Sequence, residues 1–192
     1  MAVVIKTTTM NTNLDKNGLT EDEFLALYKT KNYQKPSLTV DIIVIRDNSL
    51  LLIKRGNHPF INTWALPGGF SNYNESVEES AKRELKEETN LDSDNLTLVG
   101  VYSAPGRDKR GWVVSTAFSF LLEDEQSAVA GDDAAATAWF KISLTSNCVK
   151  LTKDDTCIEF GYTGNKANSC STLAFDHNQM ILDALLQHKT GY

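Results

Sequence analysis

Apolar positions change their period several times along the chain, and each change marks an element. Residues 38–45 read LTVDIIVI, β-branched and almost wholly apolar, the pattern of a strand covered on both faces. Asp41 interrupts that run, so a buried acid with partners is expected there. Asp47-Asn48 supplies turn residues and residues 50–54 return as a second strand, which predicts a hairpin. Over residues 75–89 the period lengthens: Val77, Ala81 and Leu85 recur every four positions with no Gly or Pro between them, the stripe of a helix packed on one side. Residues 96–102 and 112–122 predict two more strands joined by the turn-like APGRDKRG, and AWFKI at 138–142 predicts another. Residues 150–152 and 157–160 flank Asp154-Asp155 as a late hairpin. Asp176 opens a terminal helix, with Gln179 as a capping-box partner and Met180, Ile181, Ala184 and Leu185 as its apolar face.

Residues 1–20 are polar and read as an extended lead-in. Residues 21–29 carry Phe24, Leu25, Leu27 and Tyr28 behind Thr20 as N-cap, which predicts a short amphipathic helix. With no internal repeat, low-complexity run or linker, a single α/β domain over residues 21–192 follows.

The 192 residues are 41% hydrophobic and 23% charged, ordinary globular usage that excludes fibrous and disordered classes. Twenty-five acids against 19 Lys and Arg leave a net charge of −6, which argues against coating nucleic acid or an anionic membrane. It does not exclude a phosphorylated substrate, because a local cation can offset one. The N-terminal apolar run is too short for a signal peptide, and no stretch approaches the roughly 18 apolar residues of a membrane helix. Cys148, Cys157 and Cys170 are odd in number, so reduced thiols in the cytoplasm are expected. Grouped with His177 they could be imagined as zinc ligands, but no C-x-x-C pair supports that.

The acid is concentrated. Residues 75–88, ESVEESAKRELKEE, hold six acids and three bases, a charge of −3 that is half the total. Glu78–Lys82 and Glu79–Arg83 have i,i+4 spacing for surface ion pairs, and Arg83 can alternatively reach Glu87. Glu84 and Glu88 have no base three or four positions away. They share one face with Glu87, and carboxylates late in a helix lie on the wrong side of its dipole. A divalent cation turns this repulsion into binding, and all-oxygen ligation suits Mg²⁺ or Mn²⁺. Upstream, Trp64–Phe70 reads WALPGGF, whose glycines permit close backbone approach. Asn90 follows the helix where a left-handed residue usually ends one.

Gly69, five residues, Glu75, seven residues, then Arg83-Glu84-Leu85-Lys86-Glu87-Glu88-Thr89-Asn90-Leu91 resembles the Nudix box, G-x5-E-x7-R-E-U-x-E-E-x-G-U with U aliphatic. Only the final glycine departs, replaced by Asn90, and that position concerns helix termination. Further similarity, over roughly residues 20–190, is to the Nudix branch acting on ADP-ribose, which includes Nudix domains of NAD-metabolism proteins. The resemblance implies an α/β/α sandwich with a mixed β-sheet and metal-dependent hydrolysis of a nucleoside diphosphate linked to another moiety. It implies Glu84, Glu87 and Glu88 as ligands of Mg²⁺ or Mn²⁺, with Gly69 shaping the metal site. Arg83 joins these glutamates in the catalytic set by pinning a carboxylate, Glu87 or Glu75. The base is Glu87 or Glu88, or an acid from a separate loop: Glu123, Asp124, Glu125, Asp132 or Asp133. Where relatives often carry a Glu before the Trp-Phe pair, this chain has Ala136.

For the substrate, Arg55 ends a strand, and Arg107, Lys109 and Arg110 lie in a loop bracketed by Gly106 and Gly111. They are candidates to grip phosphates or the distal ribose, with a solvated turn as the bland alternative. Phe60 and Trp64 are candidates to stack on adenine, or else core. The expected reaction is ADP-ribose to AMP and ribose 5-phosphate. Nucleoside triphosphates, diadenosine polyphosphates and NADH are alternative substrates, and a non-catalytic ADP-ribose sensor is the alternative class. A sensor of that kind carries a DNA-binding domain after the Nudix domain, and no helix-turn-helix follows here. The expected partner is a small nucleotide rather than nucleic acid or membrane, and the resemblance implies a homodimer. Gly161–Lys166 has the wrong spacing for a phosphate loop, and no G-x-S-x-G elbow occurs.

Overall fold

The computed structural model describes residues 14–122, 134–170 and 172–190. Glu123, Asp124, Glu125, Asp132 and Asp133, the downstream candidates for a base, lie outside them. In chain order the elements are α1 (Glu21–Lys29), β1 (Ser37–Arg46), β2 (Ser49–Arg55), β3 (Trp64–Ala65), β4 (Gly68–Phe70), α2 (Val77–Thr89), β5 (Thr97–Tyr102), β6 (Val113–Leu121), β7 (Ala134–Leu144), β8 (Cys148–Lys153), β9 (Thr156–Thr163), β10 (Lys166–Ala167) and α3 (His177–Thr190).

Contacts divide the chain at Lys35 and Pro36 into two units. The N-terminal unit is organised locally. Thr20 caps α1 and forms a capping box with Glu23, Asp15 accepts the N–H groups of Asn17 and Leu19, and Phe24, Tyr28 and Tyr33 follow one another in ring contact.

The second unit is built on a mixed sheet of order β10-β9-β8-β7-β2-β1-β6-β5, with β3 paired to β2 and β4 to β1. Strands β1 and β6 are parallel, and the other strand pairs described are antiparallel. The turn between β1 and β2 has Asp47 at φ 47° and Asn48 at φ 61°, the twist that suits a two-residue hairpin. Strand β1 explains the near-continuous apolar run. Val40, Ile42 and Val44 pack with Ala81 and Leu85 of α2, while Ile43 packs with Met180, Ile181 and Ala184 of α3. Helices therefore cover opposite faces, the expected α/β/α sandwich. Each fully buried Val, Leu or Ile there contributes about 1.5–3 kcal/mol.

Two helix starts differ from expectation. Helix α2 begins at Val77, two residues later than Glu75, because Ser76 takes the N-cap and closes a capping box with Glu79. At α3 the Asp176–Gln179 capping box does not form. The Asp176 carboxylate binds Arg107, and the Gln179 amide accepts from the Ala167 N–H and donates to Asn165 and Asp183.

Candidate active site

The site is assembled where β4 lies between β1 and α2. Gly68 sits at φ +154°, and a Cβ on it would fall 2.1 Å from the Val40 carbonyl oxygen, so only glycine lets β4 pair this closely with β1. A Cβ on Gly69 would fall 2.4 Å from Oε2 of Glu84. The pair of glycines thus brings backbone against a strand on one side and a helix carboxylate on the other. Helix α2 ends on Asn90 in the left-handed conformation, φ 59° and ψ 13°, the role expected of it.

Arg83 organises the acids. Its Nε and Nη2 hold Glu75 in a fork at 2.8 and 2.9 Å, Nη2 also reaches the Phe70 carbonyl, and Nη1 donates to Glu84 at 2.7 Å and Glu87 at 3.0 Å. The sequence left Glu87 and Glu75 as alternatives; Arg83 takes both. The Glu79–Arg83 and Glu78–Lys82 pairs read from spacing are replaced, since Glu79 caps Ser76 and Lys82 binds Asp94 at 2.9 Å. Nor does Glu84 lack a base: its neighbour in sequence, Arg83, is long enough to fold back onto it. The fork from Arg83 holds the Glu75 carboxyl down at about 2.

At Glu84 and Glu88 burial outweighs the positive charge nearby. Glu84 is buried, and burial raises its pKa more than Arg83 lowers it. Glu88 accepts the Gly68 N–H at 2.9 Å. Burial, reinforced by the nearby Glu84 and Asp41 charges, pushes its carboxyl up to about 8. Both carboxylates line a cavity of about 370 Å³ shared with Arg55, Gly69, Phe70, Arg83 and Arg110.

Across that cavity stands a wall of cations on aromatic rings. The Arg110 guanidinium lies 4.6 Å from the Phe70 ring and 5.4 Å from Phe175, and it forks onto the buried carboxylate of Asp108. Arg55 lies 5.1 Å from Phe175 and donates through Nε to the Pro59 carbonyl. Burial and the neighbouring Arg110 lower the pKa of Arg55. Among the described residues no carboxylate comes within 4.0 Å of it, although every other arginine of the site has one. Phe60 meets Phe175 edge-on at 4.9 Å, with the Lys109 ammonium over its own ring.

The candidate substrate residues therefore separate. Arg55 and Arg110 face the glutamates across one cavity, and Phe60 lies one ring behind them. Arg107 lines an adjoining recess but is committed to Asp176 at 2.6 Å and is nearly inaccessible. Trp64 is not placed as a stacking platform. Its ring packs edge-on to Phe140 at 4.9 Å, against the core beneath α3, because β3 pairs with β2 and turns the indole inward. Sequence reasoning did not single out Phe70, Phe175 or Asp108. Phe175, at φ 52°, is an aromatic in a conformation that bulky residues seldom adopt, a signal visible only in the backbone. Ala136 sits in the ladder opposite Lys54.

Asp41 is the partnered buried acid that its place in an apolar run suggested. Its Oδ2 accepts from Ser115 at 2.5 Å and its Oδ1 lies 3.1 Å from Nε2 of His177. Burial would raise its pKa, and His177, Ser115 and Arg107 reverse that. His177 spends its other nitrogen on the Leu66 N–H at 2.9 Å, which leaves nothing for zinc, and all three cysteines are free thiols.

The family model for the NUDIX domain matches residues 35–155. The chain belongs to the Nudix family. It is a Nudix hydrolase, 39% identical over 158 residues to an ADP-ribose pyrophosphatase of Methanocaldococcus jannaschii, a match covering 82% of this chain and 78% of that one. It is also 29% identical over 188 residues to the ADPR responsive transcriptional repressor NtrR of Acinetobacter baylyi, covering 94% of this chain and 66% of the repressor. Among solved structures, a MutT/nudix family protein from Enterococcus faecalis superposes with a TM-score of 0.80 at 38% identity, covering 90% of this chain and 70% of that one.

Proposed function

We propose that this Nudix hydrolase cleaves ADP-ribose to AMP and ribose 5-phosphate, with Mg²⁺ or Mn²⁺ on Glu84, Glu87 and Glu88. The reading is carried by one observation: the Glu88 carboxylate, without an ion pair among the described residues, faces Arg55, which has no carboxylate partner among them, across a single cavity. An anionic diphosphate with a divalent cation satisfies both sides. Similarity to an ADP-ribose pyrophosphatase and to an ADPR responsive repressor supports the choice of substrate.

The donors fit a hard cation. They are all oxygens, Gly69 gives the Glu84 carboxylate its space, and the burial that raises Glu84 and Glu88 is relieved by positive charge. As the described side chains stand, no three of them gather closely enough to enclose an ion. Glu87, whose side chain is 59% exposed, is the ligand that turns inward when it leaves Arg83. When bound, the ion supplies positive charge against the pyrophosphate and lowers the pKa of the attacking water. Arg83 holds Glu75 and Glu84 in register. The Gly68 N–H fixes one oxygen of Glu88. Arg55 takes a pyrophosphate oxygen, a charge-assisted contact, while Arg110 stays against Phe70 and Phe175. Glu87 or Glu88 accepts the proton of the water.

The deciding experiment is a substrate panel with Mg²⁺ and Mn²⁺, reading AMP release. ADP-ribose is expected to rank ahead of nucleoside triphosphates, diadenosine polyphosphates and NADH; a triphosphate ranking first overturns the substrate. Glu87→Gln and Glu88→Gln should each abolish most turnover with the fold intact, and wild-type rates in both overturn the metal site. The sensor reading is favoured by similarity to the repressor, and tight ADP-ribose binding without AMP release would select it. A homodimer in the cytoplasm completes the proposal. Leu98 and Val101, exposed on the sheet-edge strand β5, supply apolar surface for a partner, and the three free thiols suit a reducing compartment.

A further inference from the structure

His177 belongs to the first turn of α3, far in sequence from the box, yet it reaches the back of the loop that carries Gly68 and Gly69. The imidazole is 2% exposed. Its Nδ1 accepts the Leu66 N–H at 2.9 Å, so that nitrogen bears a lone pair and the proton resides on Nε2. Nε2 lies 3.1 Å from Oδ1 of Asp41, whose other oxygen accepts from Ser115 at 2.5 Å. The tautomer is thereby set by a carboxylate on one side and a backbone N–H on the other. Two residues beyond Leu66, the Gly68 N–H holds Glu88, and Gly69 abuts the Glu84 carboxylate. Leu66 is also tied down through its side chain, 2% exposed in the core beneath α3. One line of contacts therefore runs from Ser115 on β6 through Asp41 on β1 and His177 on α3 to the loop that touches two of the three glutamates.

We infer that His177 is a positioning residue: through the Leu66 N–H it fixes the Leu66–Gly69 backbone, and with it the placement of Glu84 and Glu88 for a divalent cation. The inference rests on the metal site proposed above. The two nitrogens have separable duties. Nδ1 sets the loop, and Nε2 donates to Asp41 and orients it. Residues that orient metal ligands without touching the metal typically govern 10–100-fold in affinity.

The test is Mn²⁺ affinity, measured by water-proton relaxation on the full chain without substrate, beside a thermal melt. His177→Asn places a carbonyl oxygen where Nδ1 stands and keeps the acceptor for Leu66, but leaves Asp41 without its Nε2 donor. His177→Gln reaches the Nε2 position and withdraws the acceptor. The expected result is a crossed pattern. His177→Asn lowers the melting temperature more yet binds Mn²⁺ within about threefold of wild type, while His177→Gln weakens Mn²⁺ by roughly tenfold or more. Equal affinities in the two variants, or affinity that follows melting temperature, would overturn it. A measurement on the wild-type chain needs no variant to fold. Mg²⁺ addition should shift the ¹⁵N resonance of His177 Nδ1 and the Leu66 amide, and unmoved resonances at saturating Mg²⁺ also overturn the inference. If Glu88→Gln abolishes Mn²⁺ binding while His177→Gln leaves it intact, the metal site stands and the role of His177 falls. If the wild-type chain binds no Mn²⁺, both fall.

Discussion

The carboxylate of Glu84 occupies the space that a side chain on residue 69 would need: a Cβ on Gly69 would lie 2.4 Å from its Oε2 and 2.5 Å from its Oε1. The glycine that opens the box and the first of the three glutamates proposed to hold the metal are thus two halves of one contact. Their fixed spacing in sequence is the spacing that brings β4 and the third turn of α2 together.

Substitutions at the adjacent glycines should separate function from fold. Gly69→Ala meets only the end of a glutamate side chain, so the protein should fold with a small loss of stability. The displaced Glu84 should cost about 10–100-fold in metal affinity. Gly68→Ala meets the backbone of β1 at a φ of +154° and should destabilise the fold by at least about 3 kcal/mol. Melts and Mn²⁺ titrations of both variants check this; equal melting temperatures would contradict it.

Arg55→Met should raise KM for ADP-ribose by about 10–100-fold and leave kcat less affected, because a hydrogen bond to a charged group carries about 1.5–3 kcal/mol. Arg55→Lys should recover part of the loss, since the charge returns without the fork. Steady-state kinetics of the two variants check this, and an unchanged KM in Arg55→Met removes Arg55 from the substrate.

Acid should reveal Glu75. The Arg83 fork holds its carboxyl at about 2, against an ordinary 4.5. Between those values the unfolded chain takes up a proton that the folded protein refuses. Stability contributed by this ion pair is therefore complete above pH 4.5 and declines as pH falls towards 2. Melts across that range should show a shallower loss in Glu75→Gln than in wild type, while Glu75→Gln is the less stable protein at pH 7. Parallel curves would show that the fork contributes nothing.

Trp64 should behave as core. Trp64→Ala should cost about 2–3 kcal/mol, below the range for a fully buried ring because the indole is partly exposed. Trp64→Phe should leave KM for ADP-ribose unchanged. A raised KM in Trp64→Phe at normal stability would return the indole to the substrate.

Much of the architecture was legible because it rests on period and local chemistry. The apolar run around Asp41 requires cover on both faces, and α2 and α3 supply it. Asn90 ends α2 as an asparagine can, and Asp47-Asn48 turns as such pairs do. Spacing failed where long side chains had a better offer from elsewhere. Arg83 left Glu79 for the more enclosed Glu75 and Glu84, and reaches Glu87 beside them. Asp176 left the helix end for Arg107, and Lys82 left Glu78 for Asp94.

The sequence by itself determined the family, the sandwich and the acidic face, since the box acids are set by positions along one helix and a helix has one geometry. Only the tertiary structure decided what surrounds them. Strand β1, the loop around Asp108 and the segment entering α3 are distant in sequence. Packing alone brings Asp41, Arg110, Phe175 and His177 to one side of the two glycines. Such long-range convergence leaves no period in a chain, because each partner obeys the pattern of its own element while its energy comes from another.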